Sequence, residues 1–374
     1  MKIVVFGLTL SSSWGNGHAT PYRAILRALK QRGVDITFFE KDVEYYALRR
    51  DFSDCDYCRL VLYPNWDELR SFALRQCEEA DVVMTASYVP EGARIADEIL
   101  HLQRPLRVFY DLDTPITLKA LRTGSVDFLR ADQIPAFDLY LSFTGGRILH
   151  ALESELGASL VKPLYGCVDP DVHARVEKRA EFESGLSYMG TYAPDRQRRM
   201  DELFLEPARR LSKEQFILAG SMYPWEWQWP ANVRRYEHVS PADHPALYSS
   251  SRMTLNITRK EMAASGYCPS GRFFEAAACG TPIVTDYFEG LESFFDLHEE
   301  VMVADSGEDV VQALLMDGAD LERMALHARE RTLAEHTGES RANELLKYFD
   351  EAWHRSSSAP TASLDGTWRL GAAS

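Results

Sequence analysis

At 374 residues the chain is well beyond the usual single-domain size of roughly 100–150 residues, so two domains with separate cores and a cleft between them are expected. The 41 basic and 56 acidic residues leave a formal charge of −15, which argues against nucleic acid or an anionic membrane as the main partner but permits a small phosphorylated ligand. No apolar run reaches the ~18–20 residues of a membrane span and the opening MKIVVFGLTL lacks a small-residue cleavage site. With six cysteines that include only one close pair, Cys55 and Cys58, a cytoplasmic protein with free thiols and no transmembrane segment is expected.

The N-terminal half repeats one rhythm. Short apolar runs KIVVFGL, VDITFFE, DVVMTAS, RVFYDLD and FDLYLSF alternate with longer helix-compatible segments, the pattern of buried parallel strands with crossover helices. After the first run comes SSSWGNGHATPYRAILRALKQRG. Thr20 as cap and Pro21 at the first helical position predict a helix start; Tyr22, Ile25, Leu26 and Leu29 line its inner face, and Gly33 ends it. Gly15, Asn16, Gly17 and His18 then form a turn where strand ends and an unpaired helix N-terminus face a ligand. One reading of the turn is a dinucleotide cradle with Glu40 as the ribose-binding acid, although Thr20 stands where that fingerprint needs its third glycine. The other is a capped turn with His18 hydrogen-bonded at its edge.

Asp111 and Asp113, in FYDLDTP, fall at the C-terminal end of a strand, where they serve either as loop caps or, for Asp113, as a general base. Residues 1–168 form the first expected domain and 169–184 a linker. The rhythm restarts over residues 185–336 with LSYMGTY, QFILAGS, RRYEHV, MTLNIT, TPIVTDY and VMVAD. The expected fold class is α/β, with two Rossmann-like doubly wound domains facing across a cleft. YPWEWQWP sets Trp225, Trp227 and Trp229 on alternate positions, as packing or as a sugar-stacking platform. His244 and His336 read as structural. A helix over 337–354 is expected to cross back to the first domain, and Ser/Ala-rich 355–374 reads as a disordered tail.

The sharpest local signal lies between residues 256 and 290. A strand ending at Thr258 is followed at once by Arg259 and Lys260, and CPSGRFFEAAACG then supplies Pro269, a Ser270 cap and a helix that starts with Gly271 and Arg272 and ends near Gly280. Free N–H groups at that helix start, together with the Arg272 guanidinium, make a seat for a diphosphate. One turn on, Glu275 is placed to accept hydrogen bonds from two ribose hydroxyls or, more plainly, to favour the helix dipole.

Across about residues 1–345, WGNGHATPYRAILRALKQRG, LSYMGTYAPDRQ, FILAGSMYP, LNITR and PSGRFFEAAACGTPIVTDYFEGLESFF occur in the order found in two-domain GT-B glycosyltransferases. The chain resembles that fold family, and more closely its CgeB-like (spore maturation protein type) members. The resemblance implies a bacterial hexosyltransferase whose nucleoside-diphosphate sugar, most simply a UDP-sugar, sits on the C-terminal domain. It places an acceptor (small molecule, glycan or protein) on the N-terminal one. Carried over by position, Glu275 holds the donor ribose, Ser270, Gly271 and Arg272 hold the diphosphate, Arg196 and Arg259 add phosphate contacts, and the backbone of Val239 and Ser240 meets the base. Gly15, Asn16 and Gly17 become the acceptor-side loop. No metal cofactor is expected, because helix dipole and arginines can stabilise the leaving diphosphate; the D-x-D spacing of Asp111 and Asp113 is then coincidental. One position departs from the pattern of many retaining members, E-x7-E: Tyr267 stands where the first glutamate would be. Retaining and inverting chemistry both stay open, with His18 and Asp113 as candidate catalytic bases in the inverting case. The rival readings are a nucleotide-sugar epimerase of the same fold, an NAD-dependent oxidoreductase using Gly15, Gly17 and Glu40, and a non-catalytic sugar-nucleotide-binding protein.

Overall fold

Apolar runs, most of them buried on both faces, become the strands of two parallel sheets in the computed structural model, which describes residues 1–52, 55–124, 126–224 and 227–358. The first sheet contains β1 (Lys2–Phe6), β2 (Asp35–Lys41), β3 (Arg59–Tyr63), β4 (Val82–Ala86), β5 (Leu106–Asp111), β6 (Leu139–Ser142) and β7 (Val161–Pro163), in the order β3-β2-β1-β4-β5-β6-β7. The second contains β8 (Ser184–Met189), β9 (Phe216–Ala219), β10 (Val233–Tyr236), β11 (Ser251–Asn256), β12 (Ile283–Thr285) and β13 (Met302–Val303), in the order β10-β9-β8-β11-β12-β13. Each sheet is Rossmann-like. Strand order reverses between β1 and β4 and again between β8 and β11, and at such reversals the loops splay apart to leave a crevice beyond the strand ends.

The first helix runs Ala19–Gln31, with Tyr22, Ile25, Leu26 and Leu29 buried. It starts earlier than Thr20 predicts. His18 holds the N-cap position without a side-chain cap bond, and Pro21 is accommodated because first-turn N–H groups have no intrahelical partner.

Glu40 is fully buried at the end of β2 and serves the loop after β1. Its Oε2 accepts from the backbone N–H of Leu10 at 2.7 Å and of Ser11 at 2.9 Å, while Oε1 accepts from the hydroxyls of Thr9 and Ser11. A carboxylate so committed has no capacity left for a ribose, so the dinucleotide reading of Glu40 does not hold. Glu40→Ala is expected to destabilise the fold by about 3 kcal/mol, because two buried backbone donors lose their acceptor; a denaturant melt measures it.

The chain crosses between the sheets twice, side by side. Val168 N–H donates to the His336 carbonyl at 3.0 Å, and Gly338 N–H returns a bond to the Val168 carbonyl at 2.8 Å. The helix Gly338–Ser358 then packs on the first helix, burying Ala342, Leu345, Phe349 and Ala352 in the core of the first sheet. It extends past 354, so the first residues of the expected tail are helical; 359–374 lie outside the described residues.

Tyr267 joins the two halves. Its carbonyl accepts from Gly145 N–H at 2.9 Å, and its ring is pinched between Gly146 and Gly290, where an added Cβ would come within 2.4 Å of ring carbons on either side. Both glycines also have positive φ, 64° and 85°. Gly290→Ala therefore meets strain and a clash together and is expected to cost about 2 kcal/mol, read as a lowered melting midpoint.

Candidate active site

A cleft of about 520 Å³ opens between the sheets at the C-terminal ends of their strands. Its lining brings together Gly15, Asn16, Gly17, His18 and Asp113 from the first sheet with Arg196, Val239, Arg259, Ser270, Gly271, Arg272 and Glu275 from the second. Ser240 is not among the lining residues; its hydroxyl donates to Asp243 Oδ2 at 2.9 Å.

On the second-sheet side the helix Gly271–Ala278 points its start into the cleft. Ser270 holds the N-cap position without a side-chain cap bond; its carbonyl accepts from Phe273 N–H at 3.0 Å, and the N–H groups of Gly271 and Arg272 are left without an intrahelical partner beside the cleft. Arg272 lies 5.6 Å over the Tyr188 ring, with Nη1 donating to Asn256 Oδ1 at 3.3 Å. Arg196 is anchored on the Thr191 carbonyl, while its buried Nε has no hydrogen-bond partner. Arg259 is shared with Asp195 at 3.4 Å, which partly satisfies its charge.

Glu275 is buried, with Oε2 3.4 Å from the Tyr248 hydroxyl and 3.5 Å from His244 Nδ1. Burial alone would raise its pKa, but the hydrogen bond and charge of His244, followed by the charges of His173 and Arg272, outweigh it and hold the carboxyl at about 2. The group is an ionised acceptor at neutral pH.

On the first-sheet side, Asn16 braces its own loop: Nδ2 donates to the Trp14 carbonyl at 3.1 Å and Oδ1 accepts from His18 N–H at 3.0 Å. The indole of Trp14 reaches across to His238, just past β10 on the second-sheet side, with ring centroids 4.4 Å apart. His18 is buried, its Nδ1 has no partner, and burial pulls its pKa below the usual value against the opposing pull of Asp113. Its ring meets Tyr88 edge-on, and the Tyr88 hydroxyl donates to Asp113 Oδ2 at 2.9 Å. Asp111 is a structural neighbour of this set. Fully buried, it accepts from Tyr140 at 2.7 Å and Thr117 at 2.9 Å, and burial lifts it to about 6 against those bonds.

Trp227 and Trp229 pack with Tyr192 and Tyr223 in edge-on and tilted contacts 5.4–6.3 Å apart on the second-sheet side; Trp225 lies outside the described residues.

Residues 196–347 match a family model described as glycosyl transferase-like. A search of curated proteins by sequence gave no match. Among solved structures, sucrose-phosphate synthase from Thermosynechococcus elongatus superposes with a TM-score of 0.68 at 13% identity, covering 95% of this chain and 99% of that one. Anabaena HepE in complex with UDP-glucose gives 0.64 at 10% identity over 94% and 100% of the two chains. An α-glucosyltransferase in complex with UDP gives 0.67 at 13% identity over 94% and 100%. The fold is GT-B.

Two features of this GT-B cleft escape a reading of the sequence. His244, read as structural, lies beside Glu275, and His173, in the crossing segment, joins it there. Tyr267, at the position where an E-x7-E pattern has its first glutamate, is absent from the lining and packs instead between Gly146 and Gly290.

Proposed function

We propose that the protein is a glycosyltransferase that moves a sugar, most simply a hexose, from a UDP-sugar to an acceptor hydroxyl bound in the cleft, and that it belongs with the CgeB-like group. The observation that carries this reading is a single surface where the open helix start at Ser270 and Gly271, the Arg272 guanidinium and the ionised carboxylate of Glu275 meet. A nucleoside diphosphate has the complementary parts in the same order, diphosphate then ribose diol.

In this reading the helix start, Arg272, Arg196 and Arg259 take up charge as the diphosphate leaves, with no metal at that point. The acceptor approaches from Gly15–Gly17, with His18 and Asp113 nearest to its hydroxyl. His18, whose pKa burial keeps below the usual value, stands as the base, and Tyr88 orients Asp113 through one oxygen. Packing of Trp14 against His238 narrows the cleft and shields the transfer from water.

The test is incubation with UDP-, GDP- and dTDP-sugars without acceptor, reading free nucleoside diphosphate. Slow release from a UDP-sugar is expected. Absence of both release and binding for every donor, with nicotinamide dinucleotide bound instead, would sink the reading.

A further inference from the structure

Behind the diphosphate seat, three side chains from three different elements converge: His173 of the crossing segment, His244 of the helix His244–Ser250 and Glu275. One nitrogen of each ring and a carboxylate oxygen lie within 4.8 Å of one another. His173 and Glu275 are buried and His244 is nearly so, its side chain 13% exposed.

Backbone carbonyls fix where the ring hydrogens are. His173 Nδ1 lies 3.3 Å from the Asp169 carbonyl oxygen and His244 Nε2 lies 3.2 Å from that of Val239. A carbonyl oxygen only accepts, so those two nitrogens carry hydrogens, and the other nitrogen of each ring is the one free to hold a proton or a metal ion. On His244 that nitrogen is Nδ1, which sits 3.5 Å from Glu275 Oε2. With one nitrogen of each ring and a carboxylate oxygen this close together, the carboxylate is balanced by a cation among them, either a proton on an imidazole or a metal ion. Histidines that ligate metals are held in this way, their second nitrogen donating to a carbonyl that sets tautomer and ring orientation.

We propose that His173, His244 and Glu275 bind one divalent transition-metal ion of the zinc class at the rear of the cleft. Two imidazoles and one carboxylate suit zinc, whose bonds of about 2.0–2.2 Å leave a fourth position for water in such a set; small side-chain rotations close the observed spread to that size. The ion takes the Oε2 side of Glu275, which faces His244 and Tyr248, while Oε1 lies toward Gly271, 4.0 Å from where a Cβ there would stand. It thus positions the carboxylate and does not touch the diphosphate. The site stands whether or not the chain transfers sugar.

The test strips the full-length protein with chelator, dialyses it against Zn²⁺ or Co²⁺ alone and measures what survives desalting. One ion per chain is expected, with the intense visible absorption of four-coordinate Co²⁺ and a Zn²⁺-dependent rise in melting temperature. His173→Gln and His244→Gln are each expected to weaken retention by at least about a hundredfold, with circular dichroism checking that they fold, while exposed His150→Gln retains the ion. Wild-type protein that keeps no ion overturns the proposal on its own and leaves a proton as the cation; equal retention in both glutamine variants overturns it as well.

Discussion

Glu275→Ala is expected to reduce donor turnover, as kcat/KM, by at least about a hundredfold, since two hydrogen bonds to a charged acceptor are lost at roughly 1.5–3 kcal/mol each and every 1.4 kcal/mol is tenfold. UDP affinity should fall with it, because the ribose is present in substrate and product alike. Glu275→Gln separates charge from shape, keeping an acceptor oxygen in the pocket while removing the charge; it should fall between the other two proteins. The carboxyl's depressed pKa gives the pH dependence a definite sign. A group held at about 2 in the folded chain, against an ordinary value of 4.5, contributes its stabilisation fully above 4.5 and loses it as pH falls through about 2. UDP binding should therefore show no Glu275 titration near pH 4.5, measured calorimetrically in any acid range where the fold survives. An alanine variant with undiminished UDP affinity would remove Glu275 from the donor site.

What the sequence disclosed follows from how locally each feature is encoded. Strands such as VVMTA of β4 are buried along their whole length and read as apolar runs. β3 escaped because it is an edge strand, RLVLY, with most of its residues partly exposed, and β7 because only Val161–Pro163 pair. The grouping of Ser270, Arg272 and Glu275 on one face of the cleft was legible since all three belong to one short helix and its N-cap, whose geometry fixes their relation. His173 and His244 were not, because they reach Glu275 only when the crossing segment and a separate helix pack behind it; nothing at either position marks a lone histidine as a partner. The turn at Gly15–His18 was ambiguous for a similar reason. Deciding between a cradle and a loop required the bonds of Glu40, made across β1 and β2.

Arg272→Ala is expected to lower kcat by about 10²–10³, the loss seen when one preorganised donor to a developing anion is removed. Preorganisation here has named parts. Asn256, buried at the end of β11, is fixed through Nδ2 by Thr285 at 3.1 Å and Thr258 at 3.3 Å, and its Oδ1 then receives Nη1 of Arg272. The Tyr188 ring supports the guanidinium from one face, so little reorganisation remains for the moment of transfer. Arg259 differs, since Asp195 already shares its charge, and Arg259→Ala should cost less. The comparison that isolates the role of Arg272 is between kcat and UDP affinity in the same variant. If the guanidinium meets charge that grows as the sugar leaves, kcat falls further than UDP binding does; if it only grips the ground-state diphosphate, the two fall together. Arg272→Lys keeps the charge but loses the planar fork held by Asn256 and Tyr188, and recovery of no more than about a tenth of wild-type kcat is expected. Full recovery by lysine would mean that charge alone suffices, and that the alignment by Asn256 and Tyr188 plays no part in the rate.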